Sequence, residues 1–261
     1  MMNTYLLSLS SLQLTLLLAI IFIFIGQVLL YIVQKHIKKS YLVGWGPYEN
    51  FAQTVGGIFS IILAFVTISV WQSHAAVNDL VSKEANAIYN IYRTVDAYSP
   101  VDRREAKERL TEYLQEVVEA EWSFMEKGIP DKKALQKLKS FHDLVIHIEP
   151  KNNTELSAHQ EVLRLMSEYR ELRRNRVMTT EPFIGDILWV VLISNLTVFA
   201  IALCFVEVES YLVHSMQLAL CSLGISCIFS LLLLYNYPFL GPAAVSAEPF
   251  KSILETYVPL P

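Results

Sequence analysis

Four long apolar segments without a charged side chain constrain this sequence more than any other feature. They run from Leu12 to Val33, Phe51 to Trp71, Ile187 to Val206 and Tyr211 to Tyr235. Each has about 20 residues, the number that a helix rising about 1.5 Å per residue needs to cross roughly 30 Å of hydrocarbon. The whole chain is 53% hydrophobic and only 18% charged, with a mean hydropathy of +0.38, which is too apolar for an ordinary soluble domain. The sequence therefore predicts a membrane protein with four transmembrane helices.

The first apolar segment lies where a secretory signal would lie but lacks the pattern of one. A cleaved signal has a basic leader, an apolar run of about 7 to 15 residues and a cleavage site of small residues. No charged residue precedes Leu12, and Lys35, His36, Lys38 and Lys39 follow the segment. We therefore expect this segment to be retained as the first span.

The region between the second and third spans is rich in charged residues and has helical periodicity. The second span is expected to continue into it as one helix. Ser99 and Pro100 suit the N-cap and first position of the next helix, which Gly128 ends. Two further helices are predicted, one over Asp131–His147 and one capped near Asn153 or Thr154 and ending near Arg176.

The predicted fold class is all-α, a four-span helical membrane protein with a helical cytoplasmic domain inserted between spans 2 and 3. The predicted divisions are spans 1 and 2 in residues 1–74, the helical domain in 75–181, spans 3 and 4 in 182–236, and a cytoplasmic C-terminal tail in 237–261. Four spans place both termini on the side of the inserted domain. A cluster of Arg170, Arg173, Arg174 and Arg176 before the third span favours the cytoplasm, whereas Lys35, Lys38 and Lys39 argue for the opposite orientation.

The sequence contains no motif that indicates an enzyme. It lacks a glycine-rich phosphate loop, a His-Glu-x-x-His zinc motif, a Gly-x-Ser-x-Gly motif and a Cys-x-x-Cys pair. Cys204, Cys221 and Cys227 are expected to be reduced thiols, since their spacing fits neither a metal site nor a disulfide framework. The net charge of −4 gives no general case for nucleic-acid binding. We predict neither catalytic residues, metal ligands nor a cofactor, and the runs "DRREAKER" and "RELRRNR" are interpreted as solvated helix faces.

The second span has two distinct stripes at helical spacing. One stripe is mainly small or polar and the other is mainly bulky and apolar. The first contains Gln53, Gly57, Ser60, Ala64, Thr67, Trp71 and His74, and the second contains Val55, Ile58, Ile62, Phe65 and Ser69. In one interpretation the small residues, with Gly56 added, allow close packing against another helix while the bulky face meets lipid. In the other interpretation one face surrounds a pore. The spacing is compatible with both.

Several segments resemble the bestrophin-like domain family of bacterial membrane proteins. They are "VGGIFSIILAFVTISVW", "VSKEANAIYNIYR", "EPFIGDILWVVLISNLTV" and "LLLLYNYPFLGPAAVSAEPFKSIL". The most specific positions lie on the helix that follows the second span and in the closing segment. They include Glu84, Arg93, Pro238, Phe239, Gly241, Pro249 and Phe250. The family usually has Asp two residues before the closing Pro-Phe, and this chain has Asn236 there.

The resemblance implies a distant similarity to bestrophins, which are pentameric anion channels with an apolar neck on their second span. It makes Ile58, Ile61, Ile62 and Phe65 the candidate neck residues, with Ser69 further along the same face. The expected protein is a homo-oligomeric, pentameric channel of the inner membrane that contacts lipid and passes small ions, anions being weakly favoured by the arginine cluster. The alternative is a non-conducting scaffold whose cytoplasmic bundle binds a protein partner.

Overall fold

The computed structural model describes residues 7–36, 47–206, 208 and 210–257, and the regular elements among them are helices. In chain order these are α1 (Ser11–His36), α2 (Pro47–Thr94), α3 (Pro100–Glu116), α4 (Trp122–Met125), α5 (Lys132–His147), α6 (Asn153–Met178), α7 (Asp186–Cys204), α8 (Tyr211–Asn236) and α9 (Glu248–Tyr257). A 3₁₀ turn, Val95–Ala97, follows α2, and a π-helical turn, Val117–Glu121, joins α3 to α4. Helices α1, α2, α7 and α8 are long and apolar enough to cross a membrane. The predicted all-helical fold is therefore confirmed for the described residues, and each of the four predicted spans falls on a helix that could cross a membrane.

The described chain divides into two compact units. The first contains the described parts of Met1–Ser73 and Pro182–Ala244, and the second contains His74–Glu181 and the described part of Val245–Pro261. Helix α2 contributes to both units, and the closing segment 237–261 is divided between them.

In the first unit, α1 and α8 pack antiparallel and are joined by hydrogen bonds between polar side chains. The hydroxyl oxygens of Thr15 and Ser230 lie 2.6 Å apart, and Gln27 exchanges two hydrogen bonds with Ser215, at 2.8 and 3.0 Å. Such bonds hold transmembrane helices together where lipid cannot satisfy a polar group. A second core forms where α2, α7 and α8 meet, from Phe59, Leu63, Val66, Val70, Ile184, Leu192, Phe229 and Leu232.

In the second unit, helix ends are fixed by side chains that accept backbone hydrogen bonds. The Ser99 hydroxyl accepts from the Asp102 amide at 3.3 Å, with Pro100 at the first helical position, as predicted. The α6 cap is Asn152, whose Oδ1 accepts from the Glu155 amide at 2.9 Å. The cap predicted near Asn153 or Thr154 thus lies one residue before Asn153, because Asn152 has extended backbone and the helix begins at the next residue.

The apolar side chains of α5 and α6 are buried only in part. Phe141, Val145, Met166 and Tyr169 are buried, but Leu135, Leu156 and Leu163 are exposed in the subunit. Burial in α6 falls on Val162 and Leu165 instead. The predicted continuous helix from Pro100 to Gly128 is widened at Val117–Glu121, a π-helical turn that the apolar periodicity did not indicate.

Candidate functional site

The candidate site in the first unit is the part of α2 between Val55 and Trp71, which has one buried and one outward face. Phe59, Leu63, Val66 and Val70 form the buried face. These four residues belong to neither stripe recognised in the sequence. The remaining positions divide between a partly covered flank and a face that the described residues leave largely exposed.

The outward face carries large apolar side chains at helical spacing. Ile58 is 52% exposed, Ile61 59% and Phe65 71%, and Ser69 is exposed beyond them. Ile62 is only half exposed and packs against the buried core. Four of the five candidate pore residues therefore lie on the outward face, and Ile62 lies on its flank.

The candidate packing residues lie mostly on the outward side as well. Gly57, Ser60 and Ala64 are exposed, and a Cβ atom added to Gly57 would meet no atom within 4 Å. The Ser60 hydroxyl donates to the Gly56 carbonyl at 2.8 Å, and the half-buried Thr67 hydroxyl donates to the Leu63 carbonyl at 2.7 Å. These hydroxyls therefore bond to their own helix rather than to a neighbouring one.

Gly56 differs from Gly57 because it lies directly against α7. A Cβ atom at Gly56 would come within 2.7 Å of Phe199 Cε2. The Phe199 ring also stacks on Phe59, with the ring centroids 5.7 Å apart. The absence of a side chain at Gly56 thus lets α7 approach α2 closely.

The second unit contains a buried cluster of two carboxylates and two guanidinium groups, which we call the Arg176 cluster. Arg176 donates to both Glu84 oxygens, from Nε at 2.5 Å and from Nη2 at 2.9 Å. Its Nη2 also donates to Glu121 Oε2 at 3.0 Å, and Glu121 Oε1 accepts from Arg173. Arg176, Glu84 and Glu121 have no exposed surface. The cluster joins α2, the π-helical turn and α6.

Two aromatic side chains contact the Arg176 guanidinium. Its carbon lies 4.6 Å from the centroid of the Trp122 ring and 5.8 Å from that of Phe250, distances at which a cation is attracted to a ring face. The Trp122 indole N–H donates to the Val245 carbonyl at 2.9 Å. The closing segment is therefore anchored on this cluster through Phe250 and Val245.

Burial changes the acidity of the groups in and beside the cluster. It raises the pKa of Glu84, and the Arg176 charge opposes that rise. Burial likewise raises the pKa of Tyr113 and of Tyr169, whose hydroxyl oxygens lie 2.6 Å apart. The two phenols stay protonated at neutral pH and share a hydrogen bond.

One sequence interpretation is wrong here. The run that contains Arg173 and Arg176 is not wholly solvated, because these two side chains form buried ion pairs with Glu121 and Glu84. Only Arg170 and Arg174 of the orientation cluster are exposed. Arg93 is exposed, and its Nη1 donates to the Tyr89 hydroxyl at 3.3 Å.

The remaining motif residues organise the chain around the end of α8. Asn236 is buried, its Oδ1 accepts from the Ile184 amide at 2.7 Å, and its carbonyl accepts from the Phe183 amide at 3.0 Å. Asn236 therefore holds the segment that precedes α7 against the end of α8. Pro238 and Phe239 are buried, and Gly241 has a positive φ of 91° that favours glycine. Pro249 is half-buried next to Phe250.

Within the described ranges, no three His, Cys, Asp or Glu side chains are grouped closely enough to hold a metal ion. The geometry consists of an outward apolar face on a spanning helix and a separate buried ion-pair cluster.

The fold and these two features define a class, that of helical membrane proteins with four spanning segments and a second helical unit. The family model described as "Bestrophin-like domain" matches residues 48–250, which is most of the chain. The protein therefore belongs to the bestrophin-like family. No curated protein and no solved structure matches the chain.

Proposed function

We propose that the protein is a homo-oligomeric ion channel whose pore is surrounded by the second spans of five subunits. The observation that supports this proposal most directly is the outward face of α2. Ile58, Ile61 and Phe65 are left uncovered by the rest of the subunit, on a helix that belongs to the family match. The bestrophin-like family is associated with channels rather than with enzymes, and we propose no catalytic activity.

The chemistry of this face suits a hydrophobic gate. Five copies of Phe65, with Ile61 one turn away, would form successive rings of apolar side chains, and such constrictions can exclude water when narrow. Ile58 and Phe65 are seven residues apart, so the rings would extend over about 10 Å along the axis. The adjacent part of the exposed surface of α2 carries small residues, namely Gly57, Ser60 and Ala64, which would leave room for neighbouring α2 helices to approach one another.

We further propose that the channel lies in the inner membrane with its second unit and both termini in the cytoplasm. The exposed Arg170 and Arg174 support this orientation, because Lys and Arg near a span favour the cytoplasmic side. These two exposed positive side chains, which precede the third span in the sequence, would weakly favour small anions.

The test is conductance of the purified oligomer in planar bilayers under a KCl gradient. We expect single-channel steps whose size or open probability changes in Phe65→Ala and Ile61→Ala. The matched control is Phe24→Ala, since Phe24 is 68% exposed on α1 and so resembles Phe65 in type and exposure. The reversal potential gives the sign of the permeant ion.

Two results would contradict the proposal. Equal effects of Phe65→Ala and Phe24→Ala would separate the outward face of α2 from the conduction path. Absence of conductance from a folded, oligomeric preparation would favour the alternative, a membrane-anchored scaffold that binds a protein partner.

A further inference from the structure

The first unit contains a cavity of about 400 Å³ between α1, α7 and α8, and this cavity is open to the surface, because the lining residues Ile25, Ile193 and Thr197 are exposed. Its walls are almost entirely apolar and include four aromatic side chains, Phe22, Trp189, Phe199 and Phe229. The family match begins at residue 48, so the wall that α1 contributes through Phe22 and Gly26 lies outside it. The volume falls within the range of about 300 to 1,000 Å³ that is typical of ligand sites.

A cavity of this kind is unfavourable when empty. Protein interiors are close-packed, and atoms that line a void lose dispersion contacts on one side. Water is a poor occupant of this open cavity, because the apolar walls offer it few polar partners. The Thr197 hydroxyl on the wall already donates to the Ile193 carbonyl at 2.8 Å.

We propose that this cavity binds one acyl chain of a membrane phospholipid. All three walls belong to helices long and apolar enough to cross the membrane, so the solute present at that depth is lipid hydrocarbon. An acyl chain supplies the missing dispersion contacts and needs no hydrogen-bond partner. The aromatic rings offer it flat apolar surfaces.

The occupied cavity would act on α2 through Phe199. This side chain lines the cavity and also contacts α2, with its Cε2 atom 2.7 Å from the site of a Cβ atom on Gly56 and its ring stacked on Phe59. A chain in the cavity fixes the Phe199 ring and hence the spacing of α7 and α2. This regulatory consequence, unlike the binding itself, rests on the proposed channel function.

The binding is tested with a phospholipid that carries a photoactivatable diazirine in the middle of its acyl chain. Protein reconstituted in vesicles of that lipid is irradiated and the labelled residues are mapped by mass spectrometry. We expect labelling at the cavity residues Phe22 and Leu196 as well as at the exposed residues Phe24 and Ile187, which serve as internal references.

Cavity-filling variants separate the cavity from the outer surface. Ala200→Phe and Thr197→Phe, at two lining positions, should abolish labelling at Phe22 and Leu196 while Phe24 and Ile187 stay labelled. Ser194→Phe adds a phenyl group to an exposed position of the same helix and should change nothing at the cavity. Gel filtration shows which of the two cavity-filling variants is folded, and one folded variant is enough for the test.

The proposal is overturned if Phe22 and Leu196 remain unlabelled in the wild type, or keep their label in a folded filled variant. Conductance is then compared between Ala200→Phe and Ser194→Phe. Altered gating in the first alone is the result expected from coupling through Phe199. If the two variants gate equally while Ala200→Phe alone loses the label at the cavity, the coupling is overturned and the lipid site is retained. If the wild type does not conduct, the result counts against the channel function and not against the lipid site.

Discussion

Arg176 is the largest fully buried side chain among the described residues, and its environment explains how a charge is kept there. Burying a guanidinium costs several kcal/mol unless carboxylates and hydrogen bonds compensate for the lost water. Glu84 and Glu121 provide the compensating charge, Met125 Sδ accepts from Nη1, and the rings of Trp122 and Phe250 pack beside the guanidinium. The cluster therefore depends on helices that lie far apart in the sequence.

Glu84→Gln should destabilise the protein strongly, because it leaves the buried Arg176 charge with half of its compensation. Breaking a buried ion pair costs about 3 to 5 kcal/mol. For a chain of this size the melting temperature should fall by roughly 10 °C. The measurement is thermal unfolding of the full chain in detergent, followed by circular dichroism.

The adjacent Lys83 provides the control for that measurement. It pairs with Asp79 at the surface, with side chains 63% and 61% exposed, and exposed pairs contribute about 0 to 1 kcal/mol. Lys83→Met should thus shift the melting temperature little. Comparable shifts in Glu84→Gln and Lys83→Met would show that the Arg176 cluster contributes no more than a surface pair.

The cluster shows why single-residue roles were the least predictable part of this chain. A local sequence pattern predicts that each charged side chain is solvated, because it contains no information on distant partners. Glu84, the partner of Arg176, is 92 residues away in the sequence. The π-helical turn that contains the buried Glu121 has no apolar signature of its own. The resemblance singled out Glu84 and Phe250, but not the arginine that lies between them.

At the scale of elements, helices were predictable because their signals are local. The continuation of α2 to Thr94, the cap at Ser99 and the four spans follow from periodicity, capping chemistry and the length of apolar runs. The faces of α2 were not predictable in the same way. Both stripes seen in the sequence lie largely outward, and Phe59, Leu63 and Val66 make the contacts inside the subunit.

The two adjacent glycines of α2 provide a test of this division of faces. In Gly56→Ala the new methyl group collides with the Phe199 ring, and such overpacking typically costs about 1 to 3 kcal/mol. In Gly57→Ala the methyl group enters open space, and alanine favours a helix over glycine by about 1 kcal/mol. We expect Gly56→Ala to have a lower melting temperature than the wild type. For the monomer, Gly57→Ala should have a melting temperature no lower than that of the wild type.

The size of the assembly in detergent completes the test of the two glycines. If Gly57 lies against another subunit, as its predicted packing role requires, Gly57→Ala should weaken the oligomer in gel filtration while Gly56→Ala mainly lowers the melting temperature. Equal behaviour of the two variants in both measurements would contradict the assignment of Gly56 to an intrasubunit contact and Gly57 to a contact between subunits.

At the scale of the whole molecule, the proposal requires the outward face of α2 to meet its own copies on a symmetry axis. Ile58, Ile61 and Phe65 have no described neighbour that covers them, although comparable exposure on α1, as at Phe24, is ordinary for a lipid-facing helix. Exposure alone therefore does not distinguish a pore face from a lipid face, whereas a measurement of the distance between the same residue in neighbouring subunits does.

Disulfide formation measures that proximity. With Cys204, Cys221 and Cys227 replaced by alanine, Phe65→Cys should form intersubunit disulfides under mild oxidation, because a disulfide requires Cβ atoms about 3.5 to 4.5 Å apart. Phe24→Cys, on a lipid-facing surface, should remain unlinked. Each cysteine can pair only once, so a pentamer leaves one subunit in five unlinked when neighbours have paired to completion, whereas a tetramer leaves none. Linkage at Phe24 but not at Phe65 would place α1 at the axis and remove α2 from the pore.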